Sequence, residues 1–344
     1  MYYFCTYFDR RYLPRGLALH RSLMAHCRSF QLWVLCLDEK TFGALTQLNL
    51  PGILPINLVD FEKGNAELLR AKQNRSPIEY YFTCTPFLPL FVLKNHPEVE
   101  VVTYLDADLF FFADPAPLYA KLNGQSIAIT AHRFSKQLPG WDRYGIYNVG
   151  WLSFRRDSHG LECLSWWQKR CLEWCFDRVE NGRFADQKYL DDWPTRFSGV
   201  VVLEHKGANL APWNFADAQI REVGGRVWVD EDPLVFFHFH NLRQISERVY
   251  NPNIADYRVK PSRTLVREVY GPYLRTLFAT HRDSTPLLKE AVPVTSLRYG
   301  QDDRSATKPV SVPRRVFGKA DHFFRVSREI LNRNYIVLWG NCVF

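Results

Sequence analysis

The chain begins by alternating two kinds of pattern. The short apolar runs "YYFCTYF" (2–8), "QLWVLCL" (31–37) and "ILPINLV" (53–59) read as strands. Between the first two, residues 14–27 carry apolar side chains at helical spacing, which turns Leu17, Leu19, Leu23 and Met24 inward. "TPFLPLFVLKN" (85–95) is a second helical stretch with a proline at its start, and the strand "VEVVTYL" (99–105) follows. "SIAITAH" (126–132) and "YNVGWLSF" (147–154) read as further strands. Residues 159–181 read as one helix, with Leu161, Leu164, Cys171, Cys175 and Val179 on one stripe and Gly182 as its stop. "VVVLEH" (200–205) and "PLVFFHFH" (233–240) are late strands. Strands alternating with helices predict an α/β fold on a mostly parallel sheet, in which ligands bind beyond the carboxyl ends of the strands.

One of those strand ends breaks the apolar pattern. In "VVTYLDADLFFFADP" (101–115), Asp106 and Asp108 stand one residue apart with hydrocarbon on both sides. A buried carboxylate without a partner costs several kcal/mol or stays protonated, so this pair is either solvated or faces a cation. An Asp-x-Asp is weak evidence by itself, and Asp230/Asp232 in "VDEDPLVFF" read as an ordinary loop before a strand. The first pair differs in ending a strongly apolar strand. Two hard carboxylates with room for phosphate oxygens suit Mn²⁺ or Mg²⁺. A third ligand is available in "FFHFHNL", where the strand period of two puts His238 and His240 on one face.

Composition is that of a globular protein able to bury a sizeable core: 344 residues, 47% hydrophobic and 23% charged. No apolar run reaches the roughly 18 residues of a spanning helix. "MYYFCTYFDRR" has neither a basic leader nor a small-residue cleavage site, so a cytoplasmic location is the expectation. The eight cysteines include no CxxC pair and read as small apolar residues rather than zinc ligands or disulfides. The net charge of +8 suits an acidic partner such as nucleotide phosphates or an anionic membrane surface. Part of that charge lies between Lys308 and Arg333, where seven Lys/Arg face two acids, interleaved with Phe317, Phe323, Phe324, Ile330 and Leu331. Such a segment is either a peripheral membrane contact or a docked helix with a solvated basic face. The basic residues do not follow an aromatic groove, so no nucleic acid is expected. Residues 284–316 are polar, proline-punctuated and expected to be irregular.

Taken in order, these stretches resemble the GT-A-fold nucleotide-sugar-dependent glycosyltransferases, closest to the family 8 type that includes bacterial lipopolysaccharide hexosyltransferases. "CTYFDRRYLPRGLALHRSL" is similar to that family's first strand and helix, "VTYLDADLFFFADP" to its metal motif, and "YNVGWLSF" to the strand whose asparagine meets the sugar. "RFADQKYLDDW" resembles the Asp-Gln motif beside the anomeric carbon, and "ANLAPWNF" and "FFHFH" resemble the late segments. The resemblance covers roughly residues 2–245, which implies a nucleotide-sugar transferase domain over 1–245 and an extension, 246–344, associated with acceptor or membrane. It implies a Rossmann-like mixed sheet flanked by helices, a nucleotide-sugar donor (a UDP-sugar) and a glycan or glycolipid acceptor, as in polysaccharide synthesis. It implies transfer with retention. By the same resemblance Asp106, Asp108 and His238 hold the ion, and Thr6 and Asp9 contact the base. Asn148, Asp186 and Gln187 position the donor sugar, with Gln187 near the anomeric carbon, and Arg243 is the nearby cation. Two features depart from the family. "EYYFTCTPFLPLF" has no phosphate-facing arginine, although Lys72 and Arg75 lie upstream, and "HNLRQ" replaces the expected Gly and Lys after the histidine.

Two rival readings share part of this pattern. A haloacid-dehalogenase-type phosphatase also uses strand-Asp-x-Asp with Mg²⁺, but on its first strand. A non-catalytic nucleotide-sugar binder would keep the fold and bind its ligand without turnover.

Overall fold

The computed structural model describes residues 1–288, 335–340 and 342–343. Its centre is a seven-stranded sheet of β1 (Tyr2–Phe8), β2 (Phe30–Cys36), β3 (Ile53–Asn57), β4 (Val101–Leu105), β6 (Ile127–Ala131), β7 (Tyr147–Arg155) and β8 (Val200–Leu203), in the order β3-β2-β1-β4-β7-β6-β8. β5 (Leu109–Phe111) leaves this sheet and pairs with the short strand Phe236–His238. β1, β2, β3 and β4 are mutually parallel, as are β6 and β8, while β7 runs antiparallel to both its neighbours. The sheet is thus mixed and mostly parallel. Reversing β7 matters for the site, because it brings the start of β7 beside the end of β4.

Helices cover both faces of the sheet. One core forms around Trp33, Tyr104, Phe154, Trp167 and Trp193, and a second around Phe4, Phe8, Leu23, Phe111 and Trp151. α1 (Leu13–His26) lies so close to β1 that a Cβ on Gly16 would come within 2.2 Å of the Phe8 ring. Its other face is covered by the helix Gly271–Leu288, whose Thr280 hydroxyl donates to the Pro14 carbonyl. Most of α1 is therefore buried on all sides. Toward its C-terminal end Arg21, Met24 and Ala25 reach solvent, so Met24, expected inside, is 50% exposed.

A third core unites the late elements. Phe237, Phe239 and Leu242 pack with Tyr250, Tyr270, Tyr273 and Leu274, and the Phe239 and Tyr273 rings stack at 3.7 Å. The expected boundary at 245/246 runs through a hairpin of Arg243–Ser246 with Val249–Asn251. The chain stays helical to Leu288. The remainder of the expected irregular stretch, and the basic segment Lys308–Arg333, lie outside the described residues.

Two long elements are shorter than their patterns predict. The helix read over 159–181 spans Ser158–Glu173 and ends where Trp174 turns extended. The Arg75 guanidinium donates to the Cys171 and Leu172 carbonyls there, satisfying the helix end without a glycine. Cys175 is buried, Val179 is 44% exposed, and Gly182 (φ +72°) serves the turn Glu180–Arg183 instead. The run 233–240 is also divided: Asp232–Pro233 joins a small meander, and only Phe236–His238 pairs with β5.

Candidate functional site

The aspartate pair sits where the central strand ends. The Asp106 N–H donates to the Gly150 carbonyl on β7 (3.1 Å), the chain turns, and β5 begins at Leu109. The β5 ladder sets His238 opposite Leu109, and the Phe239 N–H donates to the Asp108 carbonyl (3.0 Å). That register carries His238 to the carboxylates. Its Nε2 lies 3.1 Å from Asp108 Oδ1 and 3.6 Å from Asp106 Oδ2. Asp108 and His238 are buried, whereas Asp106 keeps 28% of its side chain exposed.

Electrostatics separate the two acids. Burial pushes Asp106 up to about 6. Burial also works against Asp108, but the charge and hydrogen bond of His238 outweigh it and hold Asp108 down at about 2. His238 moves upward because the two carboxylates outweigh its own burial. The Tyr104 hydroxyl donates to Asp106 Oδ1 (2.9 Å) and fixes that carboxylate from below.

Asn148 organises the other side of the histidine. Its Oδ1 accepts from the Gly150 N–H (3.0 Å) and lies 3.3 Å from His238 Nδ1. With Nδ1 so engaged, Nε2 is the nitrogen presented to the aspartates, the arrangement in which a partner on one ring nitrogen fixes a metal-ligating imidazole. A Cβ on Gly150 would fall 2.6 Å from Asn148 Oδ1 and 2.9 Å from His238 Nδ1, so glycine leaves the space for this contact. His240 belongs to the same corner: ligand atoms of Asp108, His238 and His240 lie within 4.8 Å of one another. Carboxylate oxygens with imidazole nitrogen, and no thiolate, fit Mn²⁺ or Mg²⁺.

Gln187 is tied to the same hub. Its Oε1 accepts from Asn148 Nδ2 (3.2 Å) and the Val149 N–H (3.4 Å), and its Nε2 donates to the Tyr144 carbonyl (2.9 Å). Asp186 lies deeper, 4% exposed, with burial pushing it up to about 7 and the Thr85 hydroxyl as a partner that partly offsets this. Thr85 in turn contacts the Tyr7 hydroxyl (3.1 Å). Asp106, Asp108, Asn148, Asp186, Gln187, His238 and His240 all line one cavity of 270 Å³. Tyr12, Ile78 and Phe82 supply apolar parts of its wall.

The remaining sequence candidates lie elsewhere. Thr6 is fully buried within β1, and Asp9 Oδ1 accepts from the Arg11 and Tyr12 N–H groups, forming the turn into α1. Neither lines the cavity, nor does Arg243 on the hairpin beyond His240. Lys72 pairs with Glu62 at 2.6 Å, and Arg75 caps the helix end described above. Among the described residues no lysine or arginine lines this cavity. Tyr104 is absent from the sequence candidates, yet the strand period places residues 104 and 106 on one side, and an aromatic hydroxyl two residues before a carboxylate set in hydrocarbon is a readable signal.

A second cavity of 1160 Å³ adjoins the first, and Asn148, Gln187, Phe184, His240 and Asn241 line both. No helix among the described residues is long and apolar enough to cross a membrane.

No protein-family model matches the chain. Among solved structures it is similar to the galactosyltransferase LgtC in complex with donor and acceptor sugar analogs (TM-score 0.48, 16% identity, 69% of this chain and 86% of LgtC). It is also similar to mouse xyloside xylosyltransferase 1 (TM-score 0.43, 14% identity, 69% of this chain and 97% of that one). In sequence the chain is 32% identical over 279 residues to YfnD of Bacillus subtilis (strain 168), covering 80% of this chain and 88% of YfnD. It is 33% identical over 253 residues to YfnF of the same organism, covering 71% of this chain and 82% of YfnF. Both relatives are described as uncharacterized proteins, and the chain belongs to the family that they share.

Proposed function

We propose that the protein is a metal-dependent glycosyltransferase that moves a sugar from a nucleoside-diphosphate donor, a UDP-sugar, to a glycan or glycolipid acceptor with retention. The observation that carries this reading is the convergence of Asp106, Asp108 and His238 with Asn148 and Gln187 in one cavity at the carboxyl end of the central strand. Asp106, Asp108 and His238, with His240 adjacent, would hold Mn²⁺ or Mg²⁺. When bound, the ion neutralises charge that grows on the departing diphosphate.

The chain's own groups do the positioning. Tyr104 orients Asp106, and Asn148 orients His238. Gln187 is held on both ends of its amide, so its Oε1 stays at the mouth between the two cavities. An amide at that place cannot become a stable glycosyl ester as a carboxylate would. Asp186, buried and pushed toward neutrality, faces Thr85. This arrangement supports departure and attack on one face of the sugar, with proximity supplying much of the acceleration.

The test is nucleotide release from a panel of UDP- and GDP-hexoses with Mn²⁺ or with EDTA. Release from one donor, dependent on the ion, is the expected result. Binding without release from any donor would leave a nucleotide-sugar binder instead.

A further inference from the structure

The second cavity is built differently from the first. Its wall is a continuous row of rings: Phe134 meets Trp141 at 6.0 Å, Trp141 meets Tyr144 at 5.7 Å, and Tyr144 meets Phe184 at 5.0 Å. Buried Tyr257 backs Trp141 at 5.3 Å, and Trp141 itself stays half-exposed toward the cavity. The row ends at Phe184, which lines both cavities, and it is tied to the candidate reaction centre by the Gln187 amide donating to the Tyr144 carbonyl. An aromatic face that is backed by protein and open on one side is complementary to the C–H face of a pyranose ring, whose hydroxyls remain free for polar partners. Asn74, Asn241 and the second N–H of the Gln187 amide provide such partners around the same space.

Charge and size narrow the ligand. The lining arginines are already committed: Arg178 pairs with Glu180 at 2.8 Å, and Arg143 stacks on Tyr144 at 4.7 Å. Of the acids, Glu79 accepts from Ser76 and from the Asp177 N–H, and Asp256 accepts from Asn253. Asp177 lines the space as well, so among the described residues two arginines stand against three acids, and no excess of positive charge is present to select an anionic ligand. The volume of 1160 Å³ exceeds the roughly 300–1,000 Å³ of ordinary small-ligand pockets, so more than one sugar ring fits.

On the glycosyltransferase reading, we propose that this cavity is the acceptor subsite and that it takes the end of a neutral glycan at least two residues long, with one ring stacked on Trp141. A free oligosaccharide and the headgroup of a glycolipid present this same chemistry.

The experiment is capture of the full-length protein on an array of immobilised neutral mono-, di-, tri- and tetrasaccharides, without nucleotide or metal, with acidic glycans and bare lipid as further arms. Retention on at least one neutral di- or longer saccharide, at least about tenfold over its monosaccharide, is expected. Trp141→Ala should lose about tenfold of that retention, equivalent to about 1.4 kcal/mol, and Trp141→Phe should keep most of it. Competition by the soluble oligosaccharide, but not by detergent-dispersed lipid, identifies the glycan as the recognised part. The proposal is overturned by retention on acidic glycans or lipid alone, by no retention on any neutral glycan, by equal retention of Trp141→Ala, or by loss that Trp141→Phe does not restore. Capture requires neither donor nor ion and nucleotide release requires no glycan, so failure of this subsite and failure of the transferase reading are separate results.

Discussion

Gly150→Ala is a sharp probe of the metal corner because it adds one carbon and nothing else. Gly150 does not occupy the left-handed backbone region, so alanine imposes no backbone strain there. The new Cβ would lie 2.6 Å from Asn148 Oδ1, 2.9 Å from His238 Nδ1 and 3.0 Å from His238 Cε1, all well inside ordinary contact at about 3.5–4.0 Å. The backbone cannot simply retreat, since the Gly150 carbonyl accepts from Asp106 and its N–H donates to Asn148. Asn148 and His238 must move instead, which turns Nε2 away from the carboxylates. Overpacking of this kind costs about 1–3 kcal/mol, and displacing the partner of a metal-ligating histidine weakens metal affinity about 10–100-fold. Isothermal titration with Mn²⁺ and thermal melting with and without the ion would read both effects. The control is Gly43, in the helix Glu39–Leu48, where an added methyl would meet nothing within 4 Å. Gly43→Ala should stabilise by about 0.5–1 kcal/mol and leave Mn²⁺ affinity alone. Mn²⁺ affinity of Gly150→Ala within twofold of the wild type, at an unchanged melting temperature, would refute the steric reasoning.

Three further outcomes follow from single contacts. Tyr104→Phe removes the hydroxyl that donates to Asp106, a hydrogen bond to a charged group worth about 1.5–3 kcal/mol, so Mn²⁺ binding by titration should weaken about tenfold and the melting temperature should fall. Arg75→Met should lower stability by about 1–3 kcal/mol in urea melts, because two helix-end carbonyls lose their donor, while UDP affinity by titration stays as it was. A fall in UDP affinity would mean that Arg75 reaches the phosphates after all. Glu79 accepts from Ser76 and the Asp177 N–H, which together hold its carboxyl below the usual value against the effect of burial. Its folded value is depressed, so its contribution is fully present above the unfolded value near 4.5 and fades as pH falls through the lower folded one. Glu79→Gln should therefore cost about 1 kcal/mol at neutral pH in denaturant melts, with the gap to wild type closing below about pH 4.

Much of this fold was legible because its strands are buried on both faces and read as continuous apolar runs: β1, β2, β4 and β7 stand within a residue or two of their patterns. The aspartate pair and the histidines were legible for a related reason, since carboxylates and imidazoles are conspicuous when hydrocarbon surrounds them. What pattern could not supply was pairing. Nothing local in "YNVGWLSF" announces that β7 runs antiparallel, yet that reversal sets Asn148 and Gly150 beside Asp106. Helix ends were illegible where a distant side chain does the capping, as Arg75 does for the helix ending at Glu173. At Asp9, another acid at a strand end, one carboxylate oxygen accepts from the Arg11 and Tyr12 N–H groups of the turn into α1, a local use that the apolar pattern does not announce.

The central claim is that Asp106, Asp108 and His238 hold a divalent ion on which a nucleotide diphosphate depends. Calorimetric titration of UDP into the wild type and into Asp106→Asn/Asp108→Asn, each with Mn²⁺ and with EDTA, tests it most directly. The account predicts that Mn²⁺ tightens UDP binding to the wild type by at least about tenfold, roughly 1.4 kcal/mol, and that the double variant, folded by its melting curve, shows no such gain. Equal UDP affinity with Mn²⁺ and EDTA in the wild type, or the same gain in the variant, would contradict it.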